Sequence, residues 1–170
     1  MQSLNFCKNI DLLSIDRDMP PFFLELELDV DSCSYLQKRF EFIEVSNVIL
    51  SANIKKISKD CWELKGNLVA QITQKCVVTC KPVKEKLEIN LEERYVLQTN
   101  CASMIAEIDI GAPNVEVLET NILDINEFIA QIIGVEAESF PKLHSASDTY
   151  FFESKHIKEN PFAKLASLKK

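Results

Sequence analysis

Regular alternation of apolar and polar side chains is the feature that most constrains the fold of this chain. Apolar residues occupy most even positions of three stretches, 24–30, 48–54 and 62–72, and most odd positions of a fourth, 83–97. A period of two residues places every second side chain on the same face of a β-strand. Each stretch therefore predicts a strand with one buried and one solvated face, and together they predict an antiparallel sheet.

Two short features lie within this strand pattern. The tripeptide Ser58-Lys59-Asp60 separates two of the alternating stretches and predicts a hairpin turn. Gly66 interrupts the apolar positions of the stretch 62–72. A glycine inside a strand is typical of a bulge or of a close approach by another backbone, so we expect one of these at Gly66.

Helical spacing is clearest after Asp124. Asp124 and Glu127 have the form of a capping box, in which Asp124 caps the first turn and Glu127 bonds back to the amide of Asp124. Apolar residues then repeat at helical spacing as far as Gly134, where we expect a left-handed stop. These apolar residues are Ile125, Phe128, Ile129, Ile132 and Ile133.

A second helix is predicted to begin at Asp31 or Ser32. Its inner face would carry Leu36, Phe40 and Ile43. The complete set of elements predicts an α+β fold over residues 1–140, an antiparallel β-sheet with about two helices packed on one face. No period survives beyond residue 140, so residues 141–170 are predicted to form an extended, partly mobile C-terminal tail.

Charge is segregated along the chain, whose formal net charge is −7. Residues 55–86 carry eight lysines and three carboxylates, whereas residues 87–140 carry one basic and eleven acidic side chains. An acidic chain of this kind is not a general nucleic-acid binder, and we expect no binding to DNA. Local fields steer partners even where the net charge does not, so the basic segment and the acidic segment each predict a binding surface.

The six cysteines are scattered except for Cys76 and Cys80. The residues between them, Val-Val-Thr, favour an extended backbone. Four extended steps would separate the two Cα atoms by about 13 Å. That separation is too large for a disulfide or a shared zinc ion, and only a sharp turn through residues 77–79, which the sequence does not announce, would bring the two sulfurs together. We therefore expect no metal site and no cofactor.

Other functional classes are poorly supported by the residues. The two histidines, His144 and His156, lie in the irregular tail, and Glu92 and Glu93 would point to opposite faces of a strand. We therefore expect no enzymatic activity. No apolar stretch is long enough to span a bilayer, and the first residues show no secretory signal, so we expect no membrane partner and a cytoplasmic location.

Two motifs resemble those of the YceD-type large ribosomal RNA subunit accumulation proteins of bacteria and plastids, in the form seen in alphaproteobacterial members. The terminal sequence Asn-Pro-Phe-Ala-Lys-Leu-Ala-Ser-Leu-Lys is similar to the family's closing motif, and it contributes Asn160, Pro161, Phe162 and Leu165. A glycine-containing strand that leads into Thr-Gln-Lys-Cys-Val-Val-Thr is similar to the other motif, and it contributes Gly66, Thr73, Gln74 and Cys76.

The Asp-capped helix followed by Phe140-Pro141 also matches this family, and the order of the motifs agrees along the chain. Other branches of the family carry a Cys-x-x-Cys pair where this chain has Cys76 and an offset Cys80. The resemblance implies a non-catalytic role in the synthesis, processing or stability of 23S, large-subunit, ribosomal RNA. It implies no established enzymatic activity.

Two modes of action remain open. In the first, the protein binds large-subunit ribosomal RNA or its precursor directly, because lysines on the polar side of residues 55–86 could neutralise phosphates. The candidate RNA-binding residues are Lys55, Lys59, Lys65, Lys75, Lys84 and Lys86. In the alternative, the protein is an adaptor that binds ribosomal or assembly proteins through its acidic segment and its C-terminal peptide. We predict that Lys55, Lys65, Lys84 and Lys86 share one exposed face, and direct RNA binding requires that these lysines are not scattered or paired with carboxylates.

Overall fold

The computed structural model describes residues 9–97 and 114–143. Within these ranges the chain forms a five-stranded sheet, a separate two-stranded sheet and two α-helices. The strands are β1 Asn9–Asp11, β2 Phe22–Glu27, β3 Glu44–Ser58, β4 Cys61–Lys75, β5 Pro82–Leu97, β6 Asn114–Leu118 and β7 Ile122–Asp124. The helices are α1 Val30–Phe40 and α2 Ile125–Glu136, and a short 3-10 helix spans Leu12–Ser14.

The large sheet has the strand order β2-β3-β4-β5-β6, and its long central strands pair antiparallel. The predicted alternation is confirmed, because Leu50, Ile54 and Leu64 are fully buried on one side. Both helices pack on that side, which we call the core face. The opposite side, the outer face, carries the residues that alternate with the core residues, such as Asn67 and Asn90, which are paired in register.

One strand departs from the predicted antiparallel arrangement. Strand β6 pairs with β5 in parallel, so the sheet is mixed at this edge. The other strands agree with the α+β prediction, and the hairpin turn between β3 and β4 falls at Lys59 and Asp60 as expected.

Gly66 lies where strand β3 comes closest to β4. A Cβ atom built at this position would lie 2.3 Å from the carbonyl oxygen of Ser51 and 2.6 Å from the Cα atom of Ala52. Both of these are backbone atoms, which cannot swing away as the end of a flexible side chain can. The prediction of a close backbone approach at Gly66 is confirmed.

Helix α1 begins earlier than the sequence predicted. Asp29 caps it by accepting a hydrogen bond from the Ser32 N–H at 2.8 Å, so the alternating stretch 24–30 ends before Val30, which is 82% exposed. The helix ends at Phe40, because Glu41 adopts a left-handed conformation with φ 57°. Ile43 therefore lies outside the helix and is exposed, so its predicted place on the inner face is wrong.

At the start of helix α2, only one half of the predicted capping box is present. The Asp124 carboxylate accepts hydrogen bonds from the N–H groups of Asn126 and Glu127. The Glu127 carboxylate was predicted to bond back to the amide of Asp124. It instead accepts two hydrogen bonds from Arg39 of α1, so this half of the predicted capping box is wrong. The helix also runs through Gly134, which has no positive φ, so the predicted left-handed stop is wrong. A Cβ atom at Gly134 would lie 2.7 Å from the ring of Phe40, so the glycine makes room for that ring.

Within the part of the chain that the structure describes, no helix is long and apolar enough to cross a membrane.

Candidate functional site

Four of the candidate lysines lie on the outer face, as the alternation predicts. Lys65 on β4 is paired in register with Asn53 on β3 and Glu92 on β5. Lys84 and Lys86 on β5 lie opposite Thr73 and Gln71 of β4. Lys55 on β3 lies opposite Glu63. Lys75 at the end of β4 lies opposite Pro82 on this face as well, and Lys59 is exposed in the β3–β4 turn at the other end of the sheet.

Two of these lysines are neutralised by carboxylates on the same face. The Lys65 ammonium lies 2.8 Å from Glu92 and 3.3 Å from Glu63, and Lys86 forms an ion pair with Glu88. The hydrogen bond from Lys65 lowers the pKa of Glu92, and that from Lys86 lowers the pKa of Glu88, so both carboxyl groups are held in their charged forms. Lys65 and Lys86 therefore do not meet the condition that direct RNA binding places on these lysines.

The candidate lysines are also spread along the length of the sheet. Lys55 lies opposite residue 63 of β4 and Lys84 lies opposite residue 73. Ten strand residues at about 3.3 Å each separate them by about 33 Å. Lys55, Lys65, Lys84 and Lys86 therefore share the predicted face, but they do not form a continuous basic surface.

The β4–β5 end of the outer face retains a local basic character. Among the described residues, no carboxylate lies within ion-pair distance of Lys75 or Lys84. A half-open groove of about 300 Å³ lies beside Lys84 and Lys86. It is also lined by Glu44, Ser46, Gln71, Ile72, Thr73 and Glu85.

Apolar side chains are exposed on the outer face between the charged ones. Phe23 on β2 is 56% exposed and lies beside Asn53 in register. Ile49 on β3 is partly exposed near the centre of the face, and Val115 and Val117 on β6 are exposed at the far edge. The outer face therefore carries exposed apolar groups, amides and paired charges side by side.

The opposite side of the molecule carries an acidic cleft of about 360 Å³ between α1 and α2. Asp31, Asp124 and Glu127 line it, together with Tyr35. Arg39 bridges the two helices through Glu127 at 2.5 and 2.9 Å, and its hydrogen bonds lower the pKa of the Glu127 carboxyl. The acidic segment that was predicted as a binding surface therefore contributes Asp124 and Glu127 to this cleft.

The residues of the family-like motif in β4 have structural partners. Thr73 is buried, and its carbonyl oxygen accepts a hydrogen bond from the Ile43 N–H at 2.7 Å. The Gln74 amide donates at 3.1 Å both to the Glu85 carboxylate and to the Glu138 carbonyl oxygen, which ties the segment after α2 to the sheet. The terminal motif residues Asn160, Pro161, Phe162 and Leu165 lie outside the described residues, as do His144 and His156.

The backbone from Cys76 to Cys80 is a tight turn, so the prediction of an extended strand there is wrong. Strand β4 ends at Lys75, and Cys80 is left-handed with φ 58°. The Cys80 N–H donates to the Cys76 carbonyl oxygen at 2.9 Å, and the Cys76 N–H donates to the Lys81 carbonyl oxygen at 2.8 Å. The long antiparallel pairing of β4 with β5 requires a reversal at this point, and it overrides the extended preference of Val77 and Val78.

The turn surrounds the Cys76 sulfur with hydrogen-bond donors. The Thr79 hydroxyl bonds to it, as do backbone N–H groups of Leu143 and of the turn itself, with Thr79 N 3.4 Å from Sγ. These donors lower the pKa of the Cys76 thiol to about 7. Cys76 is 1% exposed, whereas Cys80 is exposed to solvent.

Sequence reasoning missed this turn, and one signal could have found it. The apolar positions are even in residues 62–72 and odd in residues 83–97, and both stretches are too long to form one strand together. A reversal between them is therefore required, and Cys76 to Cys80 occupy that interval. Over residues 9–97 and 114–143, no group of three or more His, Cys, Asp or Glu side chains is arranged to hold a metal ion.

Comparison with protein-family models, with curated proteins and with solved structures found no match for this chain.

Proposed function

We propose that this protein is a non-catalytic cytoplasmic adaptor that supports the accumulation of large-subunit, 23S, ribosomal RNA by binding a ribosomal or assembly protein. The cellular role is supported by the resemblance of the two motifs to the YceD-type family. The mode of action is supported by the outer face of the sheet, where apolar side chains are exposed between paired charges.

The charge balance of the outer face favours a protein partner over RNA. Surfaces that bind nucleic acid are much more positive than surfaces that bind protein. On this face the basic groups are matched in number by carboxylates that lie on the same side in register, so the face has no excess of positive charge. The basic residues are Lys55, Lys65, Lys75, Lys84, Lys86 and Arg94, and the acidic ones are Glu25, Glu27, Glu44, Glu63, Glu88 and Glu92.

The exposed apolar groups of the outer face would form the apolar core of such an interface. Cores of protein interfaces are depleted of unpaired charge and enriched in aromatic residues, with a polar rim. Phe23 is the exposed aromatic group, and Ile49 lies four residues further along the sheet on the neighbouring strand, opposite Glu27. The paired lysines around them would stay solvated at the rim, where ion pairs cost little to keep.

Direct RNA contact is a second candidate, and one observation favours it. Lys75 and Lys84 lie at the same end of the sheet with no carboxylate of the described residues in ion-pair distance, next to the groove that Gln71 and Thr73 line. A few phosphates could be held there. This contact would be restricted to the β4–β5 end and would not involve Lys55, Lys59 or Lys65.

The two candidate functions are distinguished by measuring the binding of the full-length protein to two probes across a salt series. One probe is deproteinised large-subunit ribosomal RNA, and the other is a large-subunit precursor particle that retains its proteins. The proposal predicts binding to the particle with a shallow salt dependence and little binding to the bare RNA. Tight binding to the bare RNA that falls steeply with salt, and is lost in Lys84→Glu but not in Lys55→Glu, would contradict it in favour of RNA contact.

A further inference from the structure

The two cysteines of the β4–β5 turn lie close enough to react with each other. The hydrogen bond from the Cys80 N–H to the Cys76 carbonyl oxygen, at 2.9 Å, joins residues four apart and closes one helical turn. Four residues of such a turn advance about 6 Å along its axis. Cα atoms joined by a disulfide are usually about 4.4–6.8 Å apart, so this turn has the span that a disulfide needs.

The two sulfurs have complementary surroundings. Cys80 is exposed and can meet a reagent from solvent, whereas Cys76 is 1% exposed and is reached only from within the turn. The donors from Thr79 and Leu143 stabilise a negative charge on the Cys76 sulfur. An exposed sulfur can therefore meet the reagent first, and the buried sulfur can then close the disulfide from within the turn.

We propose that Cys76 and Cys80 form a thiol–disulfide exchange site for low-molecular-weight disulfides such as oxidised glutathione, in which Cys80 is the entry thiol and Cys76 closes an internal disulfide. This site is separate from the adaptor function and does not depend on it.

The exchange proceeds in two balanced steps. The Cys80 thiolate, having released its proton to solvent, attacks one sulfur of the glutathione disulfide, and one glutathione thiolate leaves. The Cys76 thiolate then attacks the Cys80 sulfur, a bond forms between the two protein sulfurs, and the second glutathione leaves. Two protein thiols are oxidised to one disulfide while the small disulfide is reduced to two thiols.

The turn is also connected to the segment that follows α2. The Val77 N–H donates to the Pro141 carbonyl oxygen at 2.9 Å, and a Leu143 backbone group donates to the Cys76 sulfur. Formation of the disulfide removes the negative charge that this donor holds. Oxidation therefore weakens the attachment of residues 141–143 to the sheet.

The test exposes the reduced full-length protein to oxidised glutathione, quenches with acid, blocks free thiols and maps the tryptic peptides by mass spectrometry. Both cysteines fall in one tryptic peptide, which extends to residue 84 because the bond between Lys81 and Pro82 resists trypsin. We expect this peptide to lose two hydrogen atoms. If it stays fully reduced, or retains glutathione on Cys80, the proposal is wrong.

Three variants assign the roles. Cys76→Ser should accumulate glutathione on Cys80 that the wild type does not retain, and Cys80→Ser should leave Cys76 reduced because the reagent cannot reach it. Thr79→Val removes the hydroxyl donor and should raise the retained glutathione on Cys80 several-fold. Cys33→Ser is the matched control and should behave as the wild type; modification of Cys76 in Cys80→Ser at the wild-type rate would overturn the assigned order.

Discussion

At the scale of single residues, position 66 leaves no room for a side chain. A Cβ atom there would overlap the backbone of β3 at Ser51 and Ala52, and a neighbouring backbone cannot move without breaking its ladder. We expect Gly66→Ala to lower the free energy of unfolding by about 3 kcal/mol, the upper range for overpacking. The change is measured by urea denaturation.

The matched control for this substitution is Asn67→Ala on the same strand. Asn67 is exposed on the outer face, so its truncation should change the free energy of unfolding by less than about 0.5 kcal/mol. Equal stability of Gly66→Ala and Asn67→Ala would contradict the close approach of β3 and β4.

The Cys76 thiol should ionise near neutral pH. Thr79, Leu143 and the turn backbone lower its pKa from 9.0 to about 7, so the ionised thiol favours the folded state. The stability that this group contributes is fully present above pH 9.0 and is lost as the pH falls through about 7. The ionisation is measured as thiolate absorbance in Cys80→Ser, with the double variant Cys76→Ser/Cys80→Ser subtracted.

A difference spectrum that rises through pH 7 agrees with the donors around this sulfur. A rise only near the ordinary value of 9.0 would show that these donors do not hold the charge, and the resolving role of Cys76 would then lose its physical basis.

At the scale of elements, the sequence predicted the strands better than the ends of the helices. The alternation of β3, β4 and β5 is local and strong, and the structure follows it. The start of α1 was misplaced because Val30 continues the alternation of β2, while the competing signal, the Asp29 cap, is a single side chain. Gly134 lies against the ring of Phe40 in another helix, a packing role that no local pattern contains, so the sequence alone predicts a helix stop there.

The parallel pairing of β6 with β5 is another feature that no local sequence pattern predicts. Its neighbour β5 ends before residues 98–113, which precede β6, so the direction of pairing depends on a long connection rather than on a hairpin. Alternation is the same in parallel and antiparallel strands, and it does not distinguish them.

The bridge between the two helices makes a pH-dependent contribution to stability. Arg39 lowers the pKa of Glu127, so the pair stabilises the fold at pH values above the ordinary carboxyl pKa of 4.5 and loses this effect as the pH falls through the lowered value. We expect Glu127→Gln to be slightly less stable than the wild type at neutral pH and equal to it in acid. Because both groups are partly exposed, the loss should be that of a surface ion pair.

Urea denaturation at neutral and acidic pH measures this effect, with Glu136→Gln of the same helix as the control. Glu136 is exposed and has no ion pair within the described part of the chain, so its substitution should leave stability unchanged at both pH values. A loss in Glu127→Gln that persists at acidic pH would show that the carboxylate charge is not its cause.

At the scale of the whole molecule, the sequence predicts which face carries the candidate lysines. It predicts only some of the carboxylates that pair with them. Lys86 and Glu88 lie two residues apart on one strand, as do Glu63 and Lys65, so their shared face could have been read from the same alternation. The contact of Lys65 with Glu92 depends instead on the register between β4 and β5, which join at the Cys76 turn. Net segment charge therefore overstated how basic this surface is.

The central claim is that the outer face binds a protein partner through its exposed apolar groups, and one pair of variants tests it most directly. Phe23→Ser removes the exposed aromatic group of the outer face, and Tyr35→Ser removes a similarly exposed one, 58% against 56%, from helix α1 on the opposite side. The binding of each full-length variant to the large-subunit precursor particle is measured against the wild type. We expect Phe23→Ser to weaken binding at least about tenfold, as loss of a central aromatic group does, and Tyr35→Ser to bind as the wild type. Unchanged binding by Phe23→Ser, or a loss that occurs only in Tyr35→Ser, would contradict the assignment of the outer face as the docking surface.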